Sequence, residues 1–166
     1  DHDSLMAEIL SRHTAMPVQE ISDGMAVARD HVYVIRPGYT VTLAGGLLHL
    51  GESVERRGHR RPVDDFFRSL ADEKGEQAMI VILSGTGTNG TAGAQAIKAA
   101  GGVCIAQDPE SAEFPGMPEA LIAAGYADRV LAPAEIPAVL ERYARQARFD
   151  ASGMRREPDK RALDRR

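Results

Sequence analysis

The 166-residue sequence predicts an α/β fold in which helices cover both faces of a mainly parallel sheet and an antiparallel hairpin lies at its edge. Three observations predict it. Ala78 to Gly93, AMIVILSGTGTNGTAG, reads as a buried strand, a glycine-rich turn and the start of a helix. From there to Tyr143, apolar runs of strand length alternate with helical periodicity, the pattern of strands joined by crossover helices. Earlier, Val41 and Leu43 stand against Leu48 and Leu50 around Gly45-Gly46, as in a hairpin.

Each element has its own signal. Leu5, Met6, Ile9 and Leu10 share one helical face, with Asp3 or Ser4 as N-cap. Met16 to Ile21 and His31 to Ile35 read as strands, with Asp23-Gly24 as a turn between them and Arg36-Pro37-Gly38 as a break. His49 alternates with leucines in the hairpin and is expected to face solvent, as are His2 and His13 at the first helix. Val63, Phe66, Phe67, Leu70 and Ala71 follow the apolar stripe of a helix packed on the core. Met79 to Leu83 and Val103 to Gln107 are short apolar runs that suit strands buried on both faces. Ala92 to Ala100 forms a helix ended by Gly101, and Pro118 suits the first position of another that Gly125 closes. Arg129 to Leu131 is a short strand, and Ile136, Val139, Leu140 and Tyr143 mark the last amphipathic helix. Beyond Phe149 the pattern vanishes, so residues 150–166 are expected to be a disordered basic tail or linker.

The turn Ser84–Gly90 packs three glycines among four small polar residues, and it leads into a helix N-terminus above the strand's carboxyl end. Three readings of it stand side by side. Gly85, Gly87 and Gly90 match the dinucleotide fingerprint, with Asp108 about 20 residues further on. A catalytic turn would use its backbone amides for an oxyanion and the Asn89 side chain to orient a partner. A plain tight crossover would need the glycines for their freedom alone.

Composition narrows the classes. Hydrophobic residues make up 43% and charged residues 27%, as in ordinary globular proteins, and no apolar run reaches the length of a membrane span. Cys104 is the only cysteine, which excludes an internal disulfide or a cysteine-based metal cluster, and its strand setting reads as core. The net charge of -4 divides into -9 before Arg142 and +5 from there onward, so the folded part is acidic and does not suit nucleic acid. Arg56, Arg57, Arg60 and Arg61 read as a solvated loop, or as a basic lip to a cleft. The expected location is cytoplasmic.

Several stretches, in order, resemble a known family. HVYVIRPG at 31–38, RRPVDDFFRSLA at 60–71, VILSGTGTNGTAGAQAIKAAGG at 81–102, AQDPESAEFPGMPEALIAAG at 106–125 and ADRVLAPAEI at 127–136 are similar to the catalytic domain of the CheB-type protein-glutamate methylesterases. The resemblance runs from about Asp3 to about Leu140, and LSGTGTNGT and EFPGMP are closest to esterase domains fused to a receptor methyltransferase. It implies a three-layer αβα sandwich that hydrolyses glutamate methyl esters and deamidates glutamine on chemoreceptor helices. It also implies a serine–histidine–aspartate triad with no cofactor and no metal, and possible attachment to a receiver or methyltransferase domain. By position, Thr86 supplies a backbone N–H to the oxyanion, Asn89 stands at the triad aspartate, and Gly85, Gly87, Thr88, Gly90 and Met117 line the binding turn.

The sequence departs from that family at three points. The family's serine and histidine fall in segments that precede Asp1, and His2 lies too late to be the histidine, so the chain is expected to be a fragment of the domain 1–149. Asn89 can accept a hydrogen bond from imidazole but carries no charge and can hold the wrong tautomer; the equivalent change in a serine protease lowers kcat by about 10⁴-fold. The chain alone is therefore expected to be inactive, with one flank of its sheet exposed. A non-catalytic interaction domain with an esterase fold, and a dinucleotide-binding module, are the alternatives.

Overall fold

The computed structural model describes residues 5–52 and 61–151. The elements run α1 (Leu5–Ser11), β1 (Val18–Glu20), β2 (Met25–Ala26), β3 (Val32–Val34), β4 (Tyr39–Ala44), β5 (Leu47–Glu52), α2 (Pro62–Lys74), β6 (Met79–Ile82), α3 (Thr91–Ala99), β7 (Val103–Gln107), α4 (Gly116–Ala123), β8 (Arg129–Leu131) and α5 (Ile136–Ala151). The parallel sheet has the order β6-β7-β8. Its central strand β7 is buried from Cys104 to Gln107, as expected for a strand covered on both faces. On β6, Ile80 and Ile82 are buried while Met79 and Val81 are half-buried, and Leu83, assigned to this strand from sequence, lies beyond it and is exposed.

The hairpin forms as expected, β4 pairing with β5 from Tyr39↔Glu52 to Ala44↔Leu47, with positive φ at Gly45 and Gly46. It belongs to a separate three-stranded antiparallel sheet, completed by β2, a two-residue strand that lacked any sequence signal of its own. Insertion of β2 explains a further difference. β1 and β3 flank the turn at Asp23-Gly24, yet they pair in parallel with each other, because the chain leaves to join β5 before it returns.

Helix α2 joins these layers. Phe67 and Ala71 are buried against β6, β7 and α3, while Phe66 and Leu70 also reach Val41, Leu43, Leu48 and Ile21 of the antiparallel layer. Its polar residues bind the hairpin backbone: Ser69 Oγ accepts from Leu43 N at 3.0 Å, and Glu73 accepts from Gly46 N at 2.7 Å and Gly45 N at 3.1 Å. On its other side α2 crosses α3 so closely that a Cβ on Gly93 would lie 2.7 Å from the Asp64 carbonyl oxygen and 2.8 Å from Phe67 Cβ.

Three features differ from expectation. Helix α4 begins at Gly116, which puts Pro118 at its third residue, buried; the first turn's N–H groups have no intrahelical acceptor, so the missing proton costs nothing there. Helix α5 extends through Ala151, past the expected start of the tail, and the remainder of that tail lies outside the described residues. The apolar face expected of α1 is not buried among the described residues: Leu5, Met6 and Ile9 are 69%, 55% and 43% exposed. Asp3 and Ser4, offered as its N-cap, and Arg56, Arg57 and Arg60 of the basic loop lie outside the described residues, as does His2. His13 and His49 are exposed.

Replacement of Gly93 by Ala is expected to destabilise the fold. The new methyl meets backbone that cannot move aside, an overpacking cost of about 1–3 kcal/mol. That exceeds the roughly 1 kcal/mol of helix propensity that Ala brings. Urea denaturation of the two proteins measures the difference.

Cys104, fully buried on β7, has its thiol pushed up from 9.0 to about 11, chiefly by burial, then by the Asp128 charge, with Lys98 pulling the other way. A thiol that ionises later in the folded than in the unfolded chain gives stability that is complete below pH 9.0 and is lost as pH rises toward about 11. Native protein at pH 7.5 should resist iodoacetamide until it is unfolded, and Cys104→Ala should flatten the fall in stability across that window, whatever its effect at neutral pH.

Candidate active site

The glycine turn leaves the parallel sheet at the carboxyl end of β6, and neighbouring segments hold it by their backbones. Ser84 N donates to Gln107 Oε1 at 2.8 Å, and the Gln107 amide nitrogen donates in turn to Ser111 O and Oγ, both at 3.1 Å. Gln107 ends β7 and is 94% buried, so its amide acts as an internal strut between the turn and the loop that follows β7. That loop folds back across the turn: Phe114 N donates to Ser84 Oγ at 2.9 Å, Gly85 N to Phe114 O at 2.8 Å, and Met117 N to Gly85 O at 2.9 Å. Met117 then lays its thioether over Gly85, where a Cβ would lie 2.5 Å from the sulfur. Glycine at 85 is thus a matter of packing, and Met117 roofs the turn as part of the core wall.

On the far side the turn is fixed by Asp64. This residue is fully buried at the third position of α2, on the same helical face as Phe67 and Ala71. Its Oδ1 accepts from Gly90 N at 3.0 Å and from Gly93 N at 2.6 Å, so a side chain of α2 caps the N-terminus of α3. Gly90 cannot cap that helix itself, and it stands at φ 98° with Ile82 Cδ1 2.8 Å and Val63 Cγ1 3.1 Å from where a Cβ would be. The capping is reciprocal. Asn89 Oδ1 accepts from Asp64 N in a long hydrogen bond of 3.4 Å, which satisfies a first-turn donor of α2. Two helix N-termini therefore meet at one buried carboxylate, whose negative charge suits both dipoles. Among the described residues its Oδ2 has no hydrogen-bond partner, and the Arg61 guanidinium stands near it, with Nη1 at 3.9 Å.

Between these anchors Thr86, Gly87 and Thr88 form an exposed crest, with Asn89 half-buried behind them. Among the described residues, the backbone N–H of Thr86 and the Asn89 side-chain nitrogen have no acceptor. Thr86 and Asn89, singled out from sequence, thus share one turn with Gly85, Gly87, Thr88 and Gly90. Met117 joins them through Gly85. No histidine joins them among the described residues: His31 Nδ1 contacts Arg29 O at 2.7 Å, and neither His13 nor His49 bonds to the turn. Asp108, the acid of the dinucleotide reading, is spent on a local cap, its Oδ1 accepting from Glu110 N at 3.1 Å. Among the described residues no group of three or more His, Cys, Asp or Glu side chains could hold a metal ion, and no helix is long and apolar enough to cross a membrane.

Sequence reasoning missed Asp64 and Gln107. Asp64 carried a signal, since it stands at i−3 and i−7 from Phe67 and Ala71, a carboxylate on an apolar stripe. It was hidden by Asp65 beside it, because acids in a helix's first turn are ordinary. Gln107 carried none, for nothing in its neighbours shows that the last residue of a strand turns inward.

Amide donors at the carboxyl end of a parallel strand, ahead of a helix, are what an α/β protein uses to hold an anionic or strongly polarised oxygen. The comparisons give this class a family. Residues 1–140 match the family model for CheB methylesterase, and the chain belongs to that family. It is 48% identical over 126 residues to a 104.1 kDa protein of Rhodobacter capsulatus encoded in the hypE 3′ region, covering 76% of this chain and 13% of that one. It is 36% identical over 151 residues to a protein-glutamate methylesterase/protein-glutamine glutaminase of Chromohalobacter salexigens, covering 89% of this chain and 41% of the relative. Among solved structures, the catalytic domain of Thermotoga maritima CheB methylesterase is similar, with TM-score 0.71 and 34% identity over 81% of this chain and 74% of that one. The chain thus spans less than half the length of these full-length relatives.

Loss of the Asp64 carboxylate should loosen the whole turn. Asp64→Ala leaves the N–H groups of Gly90 and Gly93 without their acceptor and opens a small cavity between the helices. The expected cost is about 2–4 kcal/mol in urea denaturation, with Asp64→Asn less affected because one amide oxygen can still accept.

Proposed function

We propose that this chain forms the larger part of a domain, residues 1–149, that hydrolyses glutamate methyl esters and deamidates glutamine on the cytoplasmic helices of chemoreceptors. The observation that supports it best is the turn 84–90, in which the Thr86 N–H and the Asn89 amide nitrogen have no acceptor among the described residues, within the region that matches the family. In this reading a serine and a histidine come from sequence ahead of Asp1. Serine Oγ attacks the ester carbonyl carbon as its proton passes to imidazole Nε2. The carbonyl oxygen, now anionic, takes the hydrogen bond from Thr86 N. Collapse of the tetrahedral intermediate breaks the carbon–methoxy bond, imidazole returns the proton to give methanol, and water releases the acyl group by the same steps. Asn89 occupies the place of the residue that orients the imidazole. No cofactor or metal enters.

Residues 150–166 serve as a linker in this reading, and a receiver or methyltransferase domain is attached in the full-length protein. The small share of the Rhodobacter capsulatus relative that this chain covers supports such an arrangement. The protein works in the cytoplasm.

Methanol release from a methylated chemoreceptor, assayed with full-length protein and with the 166-residue chain, tests the proposal. Full-length protein is expected to release methanol and to label at one serine with a fluorophosphonate, and the chain alone to do neither. Turnover by the chain alone would overturn the assignment of serine and histidine.

A further inference from the structure

The Asn89 amide could face the site with either of its two ends, and the hydrogen bond it makes inside the protein decides which. Its internal partner is the backbone N–H of Asp64, at 3.4 Å. That N–H lies in the first turn of α2, where no intrahelical carbonyl is available to it. A backbone N–H can only donate, so the atom facing it is Oδ1; the amide nitrogen there would set donor against donor. Among the described residues this N–H makes no other hydrogen bond: Asp64 Oδ1 is already bonded to Gly90 N and Gly93 N, and Asp64 Oδ2 accepts from no donor. Turning the amide over would therefore leave a donor of a fully buried residue unsatisfied. Asn89 consequently offers its outward side as an N–H donor, the end that has no acceptor among the described residues. An aspartate in the same place would keep one oxygen on Asp64 N and present the other as an acceptor. The two residues have the same shape and opposite hydrogen-bonding sense.

We infer that Asn89 holds this site in a low-turnover state, through an amide orientation imposed by Asp64. The inference rests on the esterase reading above, in which an imidazole comes up to position 89. Meeting a donor, that imidazole gives it the Nδ1 lone pair and keeps its own proton on Nε2. Nε2–H has no lone pair in the ring plane with which to take the serine proton, so the base is in its unproductive tautomer. Asn89→Asp restores an acceptor, moves the imidazole proton to Nδ1 and frees Nε2. Asp64 acts here as a positioning residue, since it touches neither substrate nor reacting atoms.

Two measurements separate the inference from the reading beneath it. In the full-length protein, Asn89→Asp is expected to raise kcat for methanol release from a chemoreceptor methyl ester by at least about 100-fold, within the roughly 10⁴-fold that the reverse change costs a serine protease. Amide hydrogen exchange at Asp64, followed by NMR, reads the orientation without any turnover. It is expected to be slow in the native protein and in Asn89→Asp, and faster by about tenfold or more in Asn89→Leu, which removes the acceptor. Rapid exchange at Asp64 in the native protein overturns the inference whatever the rates. Native turnover that Asn89→Asp does not raise overturns the inference alone. A protected Asp64 amide with no turnover from either protein overturns the inference together with the esterase reading.

Discussion

The Asp64 carboxylate is the constraint on which this structure depends. It is fully buried, a costly position for a carboxylate, and two helix N-termini converge on it, with the Arg61 guanidinium 3.9 Å away. Remove the carboxylate and α3 loses its cap; put side chains on the glycines at 90 and 93 and the helices cannot come close enough for it to reach. Carboxylate, close helix crossing and turn geometry therefore stand or fall together. The turn owes its shape less to its own glycines than to a side chain 26 residues earlier.

The site follows from this arrangement in a definite order. The parallel sheet gives β6 a direction, and the loop after β7 ties Ser84 and Gly85 down from one side through Gln107 and Phe114. Helices α2 and α3 tie Asn89 and Gly90 down from the other. Between the anchors stands the crest, where the Thr86 N–H has no acceptor among the described residues. Donors held in this way need no reorganisation when negative charge develops beside them, which is the condition for strong oxyanion stabilisation.

Much of this was legible in the sequence, for physical reasons that can be named. β7 and the α2 stripe announce themselves because burial leaves a periodic trace, and the helix ends at Gly101 and Gly125 because left-handed backbone favours glycine. The turn residues were legible as a group, but their several tasks were not. Met117, offered from sequence as a binding residue, packs over Gly85, a contact made across the loop that no local pattern records. Strand β2 escaped because two residues are too few to show alternation. The parallel pairing of β1 with β3 escaped with it, since a turn between two strands suggests a hairpin unless an intervening strand is seen. Asp64 stood on the apolar stripe but was hidden by Asp65 beside it, and its task as a cap is set by a helix that lies beyond the next strand.

The grip of α2 on the hairpin has an evolutionary reading. Ser69 and Glu73 bind main-chain N–H groups of Leu43, Gly45 and Gly46, and every residue except proline carries such a group. The contact therefore recognises the path of the hairpin and is blind to its side chains. Sequence drift can pass through the hairpin wherever the core and the turn's dihedral angles permit, while the helix that holds it must keep its hydroxyl and its carboxylate. Homologous chains should accordingly be more variable on the exposed hairpin positions than at Ser69 and Glu73, although both lie on the same interface.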